Sequence, residues 1–203
     1  MATRIASITT IILSIIAFNV CNASSIHFPP SGLGSIHTYT IWDGIKWGGN
    51  CGYLINFAKN HNTLSDTYGI VKYGEYFAGA TTTTFGNVGD MLLVVETDGY
   101  VYPVIIADTK NQNNYGCTVW GHQWGNCIVE FEILSCMRSH LYGTSGGYIS
   151  DLLSKPIYKV INIGSVFDST YYFENPKQAC IDNGLTGYYL LNSPYGGYIV
   201  SED

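Results

Sequence analysis

Charge is scarce in this 203-residue chain: 12% of its residues are Asp, Glu, Lys or Arg, and only nine are basic. So few cations leave no stripe to neutralise phosphates, which excludes a nucleic-acid surface and an anionic membrane surface as partners. No glycine-rich phosphate cradle and no dinucleotide fingerprint is present, so no nucleotide cofactor is expected. There is no CxxC pair, and the five histidines are scattered, so no metal site is expected either. The apolar run Ile11–Ala17 is interrupted by Ser14 and followed by Asn19, well short of the roughly 18 apolar residues a membrane span requires.

That same run, with Arg4 before it and Cys21-Asn22-Ala23 after it, has the layout of a secretory signal peptide over residues 1–23. Without Arg4, eight basic residues face fifteen acidic ones, a net charge of −7. A secreted chain, extracellular or cell-wall associated and a monomer, is the expectation. About 180 residues then remain, enough for one domain with a sizeable core. Five cysteines stay with it: Cys51, Cys117, Cys127, Cys136 and Cys180. An oxidising compartment favours disulfides, and Cys117 to Cys127 is the favoured bridge because it closes a polar insert between two strand-like runs. Glycine (23) and tyrosine (17) are abundant instead of charge. Tyrosines either fill strands, where their propensity is high, or offer rings and hydroxyls to sugars.

The chain reads as mainly β. Residues 24–41, with Pro29-Pro30 and three glycines, form an extended lead-in. Gly48–Tyr53 is a turn cluster, followed by a short helix in which Leu54, Phe57 and Ala58 share a side. From Gly69 onward the signals are strand and turn, and Asp98-Gly99 between two β-branched runs marks a hairpin. Met91–Glu96, Tyr100–Ala107 and Ile128–Leu134 are continuously apolar, as expected of strands buried on both faces or closed into a small barrel. The domain is expected over 42–136, with 137–203 as a C-terminal extension packed on it.

Chemistry concentrates between Gly86 and Ile133. VYPVIIAD closes at Asp108 and CIVEFEI carries Glu130, two acids on apolar strands, which must be solvated by a cleft, paired or used. A carboxyl kept neutral near pH 7 delivers a proton to a glycosidic oxygen, and a second carboxylate serves as base or nucleophile in a hydrolase. The alternative is structural: Asp108 capping a turn, with Glu130 and Glu132 on one solvent-facing side of a strand. Trp120, His122 and Trp124 alternate in the insert and either stack on a glycan or cover the end of the barrel. Cys51 and His61 form a weaker thiol and imidazole pair, since nothing in their spacing brings them together.

The order Gly89-Asp90, Leu92-Leu93-Val94, Val104-Ile105-Ile106-Ala107-Asp108-Thr109 and Ile128-Val129-Glu130-Phe131 resembles the double-psi β-barrel superfamily, over about a quarter of the mature chain. It is most similar to barrels of the lytic transglycosylase type and to phage and bacterial cell-wall proteins, and more distantly to expansins. The resemblance implies a small six-stranded barrel acting on, or binding, peptidoglycan or another cell-wall polysaccharide. It implies Asp108 as the supporting acid of the cleft and Glu130 as the general acid. The family pattern has Arg-Ile-Asp where this chain has Cys127-Ile128-Val129-Glu130. Trp120, His122 and Trp124 then become the sugar-binding strip.

Overall fold

The computed structural model describes residues 25–36, 38–42, 49–61, 63–137 and 153–203. The signal-peptide segment, residues 43–48 and much of the Gly-rich connection after Cys136 lie outside them. The elements run β1 (Ser25–His27), β2 (Thr38–Ile41), α1 (Gly49–Asn60), β3 (Leu64–Thr67), β4 (Ile70–Tyr73), β5 (Tyr76–Thr82), β6 (Asp90–Glu96), β7 (Tyr100–Lys110), β8 (Glu130–Ile133), β9 (Ile157–Ser165), α2 (Tyr171–Glu174), α3 (Pro176–Asp182), β10 (Tyr189–Ser193) and β11 (Gly196–Ile199). No helix among the described residues is long and apolar enough to cross a membrane.

The mainly β reading holds, but the architecture differs from a six-stranded barrel. Among the described residues eleven strands form one mixed sheet: eight follow the path β1-β9-β6-β7-β5-β4-β8-β2, β3 joins β4, the β10/β11 pair joins β7, and the sheet does not close. The lead-in supplies two of its strands: β1 pairs antiparallel with β9, and β2 pairs parallel with β8. The stretch beyond 136 supplies three more, since β9 pairs with β6 over most of its length and β10 joins the start of β7. A short strand such as β8 is stabilised only once its neighbours, β2, β4 and β5, are in place. Those neighbours are distant in sequence, and so sequence patterning does not reveal the sheet order.

The continuous apolar runs have the burial their composition demands. β5 is buried throughout, and β6 and β7 nearly so, because strands flank them on both sides and side chains cover both faces. Leu92, Leu93, Val94, Val104, Ile105, Phe77 and Phe131 form the centre of the core, closed on one side by Leu54, Ile55 and Ala58 of α1. The hairpin expected at Asp98-Gly99 joins β6 to β7, with Gly99 at φ 91°, a left-handed value that a side chain resists. β7 then changes partner along its length, from β10 at Tyr100 and Val101 to β5 from Val104 onward, and Pro103 falls in the gap between the two.

Candidate functional site

The position of Asp108 follows from a β-bulge. Gly79 of β5 pairs with Ile106 of β7, yet the next residue, Ala80, pairs with Asp108, leaving Ala107 as the extra residue. Bulges re-aim side chains, and here the shift sets Asp108 level with Ala80. Ala80 also pairs with Glu130 of β8, and Glu130 with Thr38 of β2. One row therefore runs Asp108, Ala80, Glu130, Thr38 across four strands. The small side chain of Ala80 leaves a shallow floor between two carboxyls whose Cα atoms are about two strand spacings, roughly 10 Å, apart. Gly79 permits the close approach: a Cβ there would meet Val129 Cγ1 at 2.9 Å and Val104 Cγ1 at 3.1 Å.

Glu130 is the centre of a polar cluster. Thr38 Oγ1 donates to Oε1 at 2.5 Å, Thr40 Oγ1 to Oε2 at 3.0 Å, and His122 Nδ1–H to Oε1 at 3.1 Å. The Lys110 ammonium stands 3.8 Å from Oε1, with its side chain only 2% exposed, against 14% for Glu130. Lys110 also donates to Cys127 Sγ at 3.6 Å, and the Thr38 amide to the same sulfur at 3.3 Å. Burial pushes the Glu130 carboxyl up, but Lys110, the Thr38 hydroxyl, His122 and the Thr40 hydroxyl together outweigh it and hold the group below the usual glutamate value. At neutral pH Glu130 is thus a carboxylate, an acceptor that orients His122 and neutralises Lys110. The proton-donor role expected of it does not fit this environment.

Glu132, two residues on along the same strand face, is the opposite case. It is fully buried, and neither carboxyl oxygen has a hydrogen-bond partner among the described residues. Burial first, and the charge of Asp108 second, push it up to about 8, so it is neutral at pH 7. Asp108 is half-buried, and its Oδ1 accepts the amide of the next strand residue, Thr109, at 2.8 Å. Cys51, in the first turn of α1, points its thiol at Asp108 Oδ1 from 4.0 Å. Burial, then the nearby acids Asp108 and Glu132, push that thiol up and keep it protonated. His61 is at the far end of α1, stacked on Phe57 at 4.2 Å and donating Nδ1–H to the Phe57 carbonyl, so it has no access to Cys51.

The insert between β7 and β8 folds as a tight hairpin. Thr118 bridges Gly121, which brings Cys117 opposite His122, and His122 in turn bridges Cys127. Gln123 and Trp124 then adopt left-handed backbone angles, φ 50° and 60°, which cost energy for residues with a Cβ and cluster at functional sites. This kink breaks the alternation read from the sequence. Trp120 turns inward onto Phe85, with ring centroids 6.1 Å apart, whereas Trp124 is left 62% exposed. Tyr115, 96% exposed, meets Trp124 edge-on at 5.6 Å. Together with Asn114, Cys117, His122 and Gln123, the two rings border an open recess of about 450 Å³.

The expected Cys117–Cys127 disulfide is absent, and all five cysteines among the described residues are free. The hairpin explains this. Cys117 and Cys127 flank His122 on opposite sides, about two strand spacings apart, whereas a disulfide needs Cα atoms within roughly 7 Å. Cys127 faces inward onto Lys110 and Thr38 instead. No group of three His, Cys, Asp or Glu side chains among the described residues is arranged to hold a metal. No family model, no curated protein and no solved structure matches this chain.

Of the residues singled out in the sequence, the structure brings Glu130 and His122 into contact, places Asp108 one strand away, and sets Trp124 over the recess beside His122. Trp120 stands apart. Sequence reasoning missed Lys110, Thr38, Thr40 and Tyr115, and its structural alternative had Glu132 facing solvent, where the structure buries it completely. A lysine two residues after Asp108 at the end of an apolar strand was a visible signal for Lys110, since residues i and i+2 share a face. Nothing local marked the two threonines, which reach Glu130 through a pairing 92 residues away in sequence.

Proposed function

We propose that the protein binds a cell-wall polysaccharide on the hairpin surface formed by Trp124, Tyr115 and His122, with Asp108 and Glu130 on the adjoining sheet. The observation that carries this reading is Trp124: an indole held out in solvent by a left-handed backbone, against a second exposed ring and beside two carboxamides. Exposing two rings costs solvation free energy, and a sugar face repays it by stacking while Asn114 and Gln123 take its hydroxyls. Secretion to an extracellular or wall-associated location belongs to the same reading.

In the catalytic form of this reading Asp108, half-buried and with no ion pair among the described residues, is the base that takes a proton from the water attacking the sugar carbon, while the glycosidic bond breaks and its leaving oxygen takes a proton from solvent. Glu130 stays ionised and fixes His122 through Nδ1, which leaves Nε2 to face the bound chain. In the non-catalytic form the same surface only retains the polymer, as expansin-like modules imply; the locking of Glu130 by Lys110 favours this form.

A sedimentation assay on insoluble peptidoglycan, cellulose and chitin, with released sugars read by mass spectrometry, tests both forms. Trp124→Ala is expected to weaken retention about five- to thirtyfold, since a stacked ring contributes on the order of 1–2 kcal/mol. Unchanged retention overturns the binding surface. Asp108→Asn is expected to keep retention and abolish release. Retention with no release by the unaltered protein assigns the non-catalytic form.

A further inference from the structure

The turn at Val119-Trp120 closes on a hydrogen-bonded pair: the Thr118 amide donates to the Gly121 carbonyl at 2.8 Å, and the Gly121 amide to the Thr118 carbonyl at 3.2 Å. In an antiparallel ladder the next pair outward, here Cys117 and His122, is a non-hydrogen-bonded one, whose side chains share a face with Cβ atoms about 5 Å apart. On its other side His122 exchanges backbone bonds with Cys127 at 3.0 and 3.1 Å, so Cys117, His122 and Cys127 form one row. The two cysteines of that row differ. Cys127 is buried against Lys110, whereas Cys117 is half-buried and borders the hairpin recess together with His122.

A thiol therefore stands beside an imidazole whose far nitrogen is already engaged. His122 donates Nδ1–H to Glu130 Oε1 at 3.1 Å, and Glu130 is itself fixed by Lys110, Thr38 and Thr40. With the proton on Nδ1, Nε2 carries a lone pair. Among the described residues neither Cys117 Sγ nor His122 Nε2 has a hydrogen-bond partner, which leaves both available to a molecule in the recess. Cys117 is also a free thiol, with Cys127 beyond disulfide reach. The left-handed backbone of Gln123 and Trp124 follows His122 directly and turns the chain back over the same recess.

A nucleophile, a base able to take its proton and a buried carboxylate that orients the base are the three roles of covalent acyl transfer. We propose that Cys117 is a nucleophile and His122 its general base, held in place by Glu130, and that they hydrolyse an amide or ester group presented in the hairpin recess. A thiolate attacks a carbonyl carbon, so the bond cut is that of an acyl substituent on the polymer and not its glycosidic link. The proposal rests on the glycan reading for the polymer and stands apart from it in chemistry. Nε2 takes the thiol proton as Sγ bonds to the carbonyl carbon. The tetrahedral intermediate then expels the amine or alcohol, which takes that proton from Nε2 and leaves a thioester. Water attacks the thioester and gives its proton to Nε2; the acid departs, and the proton returns to Sγ. One water is added across the acyl bond, with no change of oxidation state. The carboxamides of Asn114 and Gln123, on the border of the recess, are N–H donors for the carbonyl oxygen.

The probe p-nitrophenyl acetate needs no polymer and tests the chemistry on the full reduced chain, with the acetyl group located by peptide mapping. Acetylation of Cys117 in preference to the other cysteines is expected, with repeated release of p-nitrophenol. Cys117→Ala is expected to abolish both, and His122→Gln to slow acetylation about a hundredfold or more. Glutamine can still donate to Glu130, and an unchanged unfolding midpoint separates loss of the base from loss of the fold. Acetyl groups spread over exposed Cys136 and the other thiols of the unaltered protein, or acetylation indifferent to His122→Gln, overturns the proposal. With the retained polymer, a new amine or a new hydroxyl in the released products tells amide from ester. Polymer retention without Cys117 acetylation overturns the thiol centre and leaves the glycan surface standing. Acetylation without retention of any wall polymer overturns the glycan surface and leaves an acyl hydrolase.

Discussion

Replacing Glu132 by glutamine is expected to stabilise the protein progressively as the pH rises, with a gain over the parent that grows by about 3 kcal/mol between pH 4.5 and pH 7. Glu132 is fully buried, its two oxygens are unpartnered, and its carboxyl is pushed up to about 8. In the unfolded chain the same group ionises near the ordinary glutamate value. Between the two values the native state holds a proton that the unfolded state has lost, and stability therefore falls with rising pH across that window and is unaffected below it. Glutamine removes the titration while keeping the shape, and the packing cost of its amide does not vary with pH. For a chain of this length the change corresponds to a relative rise of roughly 6–12 °C in the unfolding midpoint. Scanning calorimetry of both proteins at the two pH values is the measurement, and a difference that does not change with pH would show that Glu132 is not a buried neutral acid. Glu96 acts in the same direction: it too is pushed up to about 8 by burial, with one oxygen unpartnered and the other accepting the Lys155 amide at 3.2 Å.

Replacing Glu130 by glutamine is expected to destabilise by about 3 kcal/mol or more, because it leaves the buried Lys110 ammonium without its counter-charge. Thr38, Thr40 and His122, which donate to the carboxylate, lose the charge-assisted part of their bonds at the same time. The double variant Lys110→Met, Glu130→Gln is expected to recover most of the loss, since replacing both charges of a buried pair is far milder than removing one. Urea unfolding of the two single variants and the double variant isolates the coupling, and strict additivity would show that the pair contributes nothing. The pH dependence has the opposite sign to that of Glu132. The Glu130 value lies below the usual one, so its contribution is complete above the ordinary glutamate value and is lost as the pH falls through the lower, folded value. The two glutamates of the Glu-Phe-Glu segment thus penalise the fold at opposite ends of the pH scale, which places maximum stability in the mildly acidic range.

This opposition also separates fold maintenance from function. A turnover assay with Glu130→Gln alone would confound loss of a catalytic group with loss of the ion pair, whereas Asp108→Asn and Trp124→Ala alter groups that are exposed or half exposed and are not paired with a buried charge. Those two variants are the informative ones for activity.

The sequence by itself determined the strands and the neighbourhood of the site. Continuous runs of Val, Ile and Leu in β6 and β7 have no other soluble solution than burial on both faces, and Asp98-Gly99 supplies the left-handed turn that joins them. Two acids among such residues had to be solvated, paired or used, and the structure pairs Glu130 with Lys110 and leaves Asp108 half-buried. The helix was legible from Leu54 onward, although it begins earlier, at Gly49, because nothing in the glycine cluster shows that the sheet will support its first turn.

Only the tertiary structure decided what each acid is. Glu130 and Glu132 are the same residue type, two positions apart on one strand face. One lies beside Lys110, His122 and two threonines brought in by β2, and the other faces apolar side chains and Asp108. A carboxyl responds to charges and donors a few ångströms away, and those arrive from strands distant in sequence. The bulge at Ala107 that aligns Asp108 with Glu130, the left-handed pair that frees Trp124 while Trp120 turns onto Phe85, and the separation of Cys117 from Cys127 are likewise consequences of register. Register is fixed by the packing of the whole sheet, and no local run of residues encodes it.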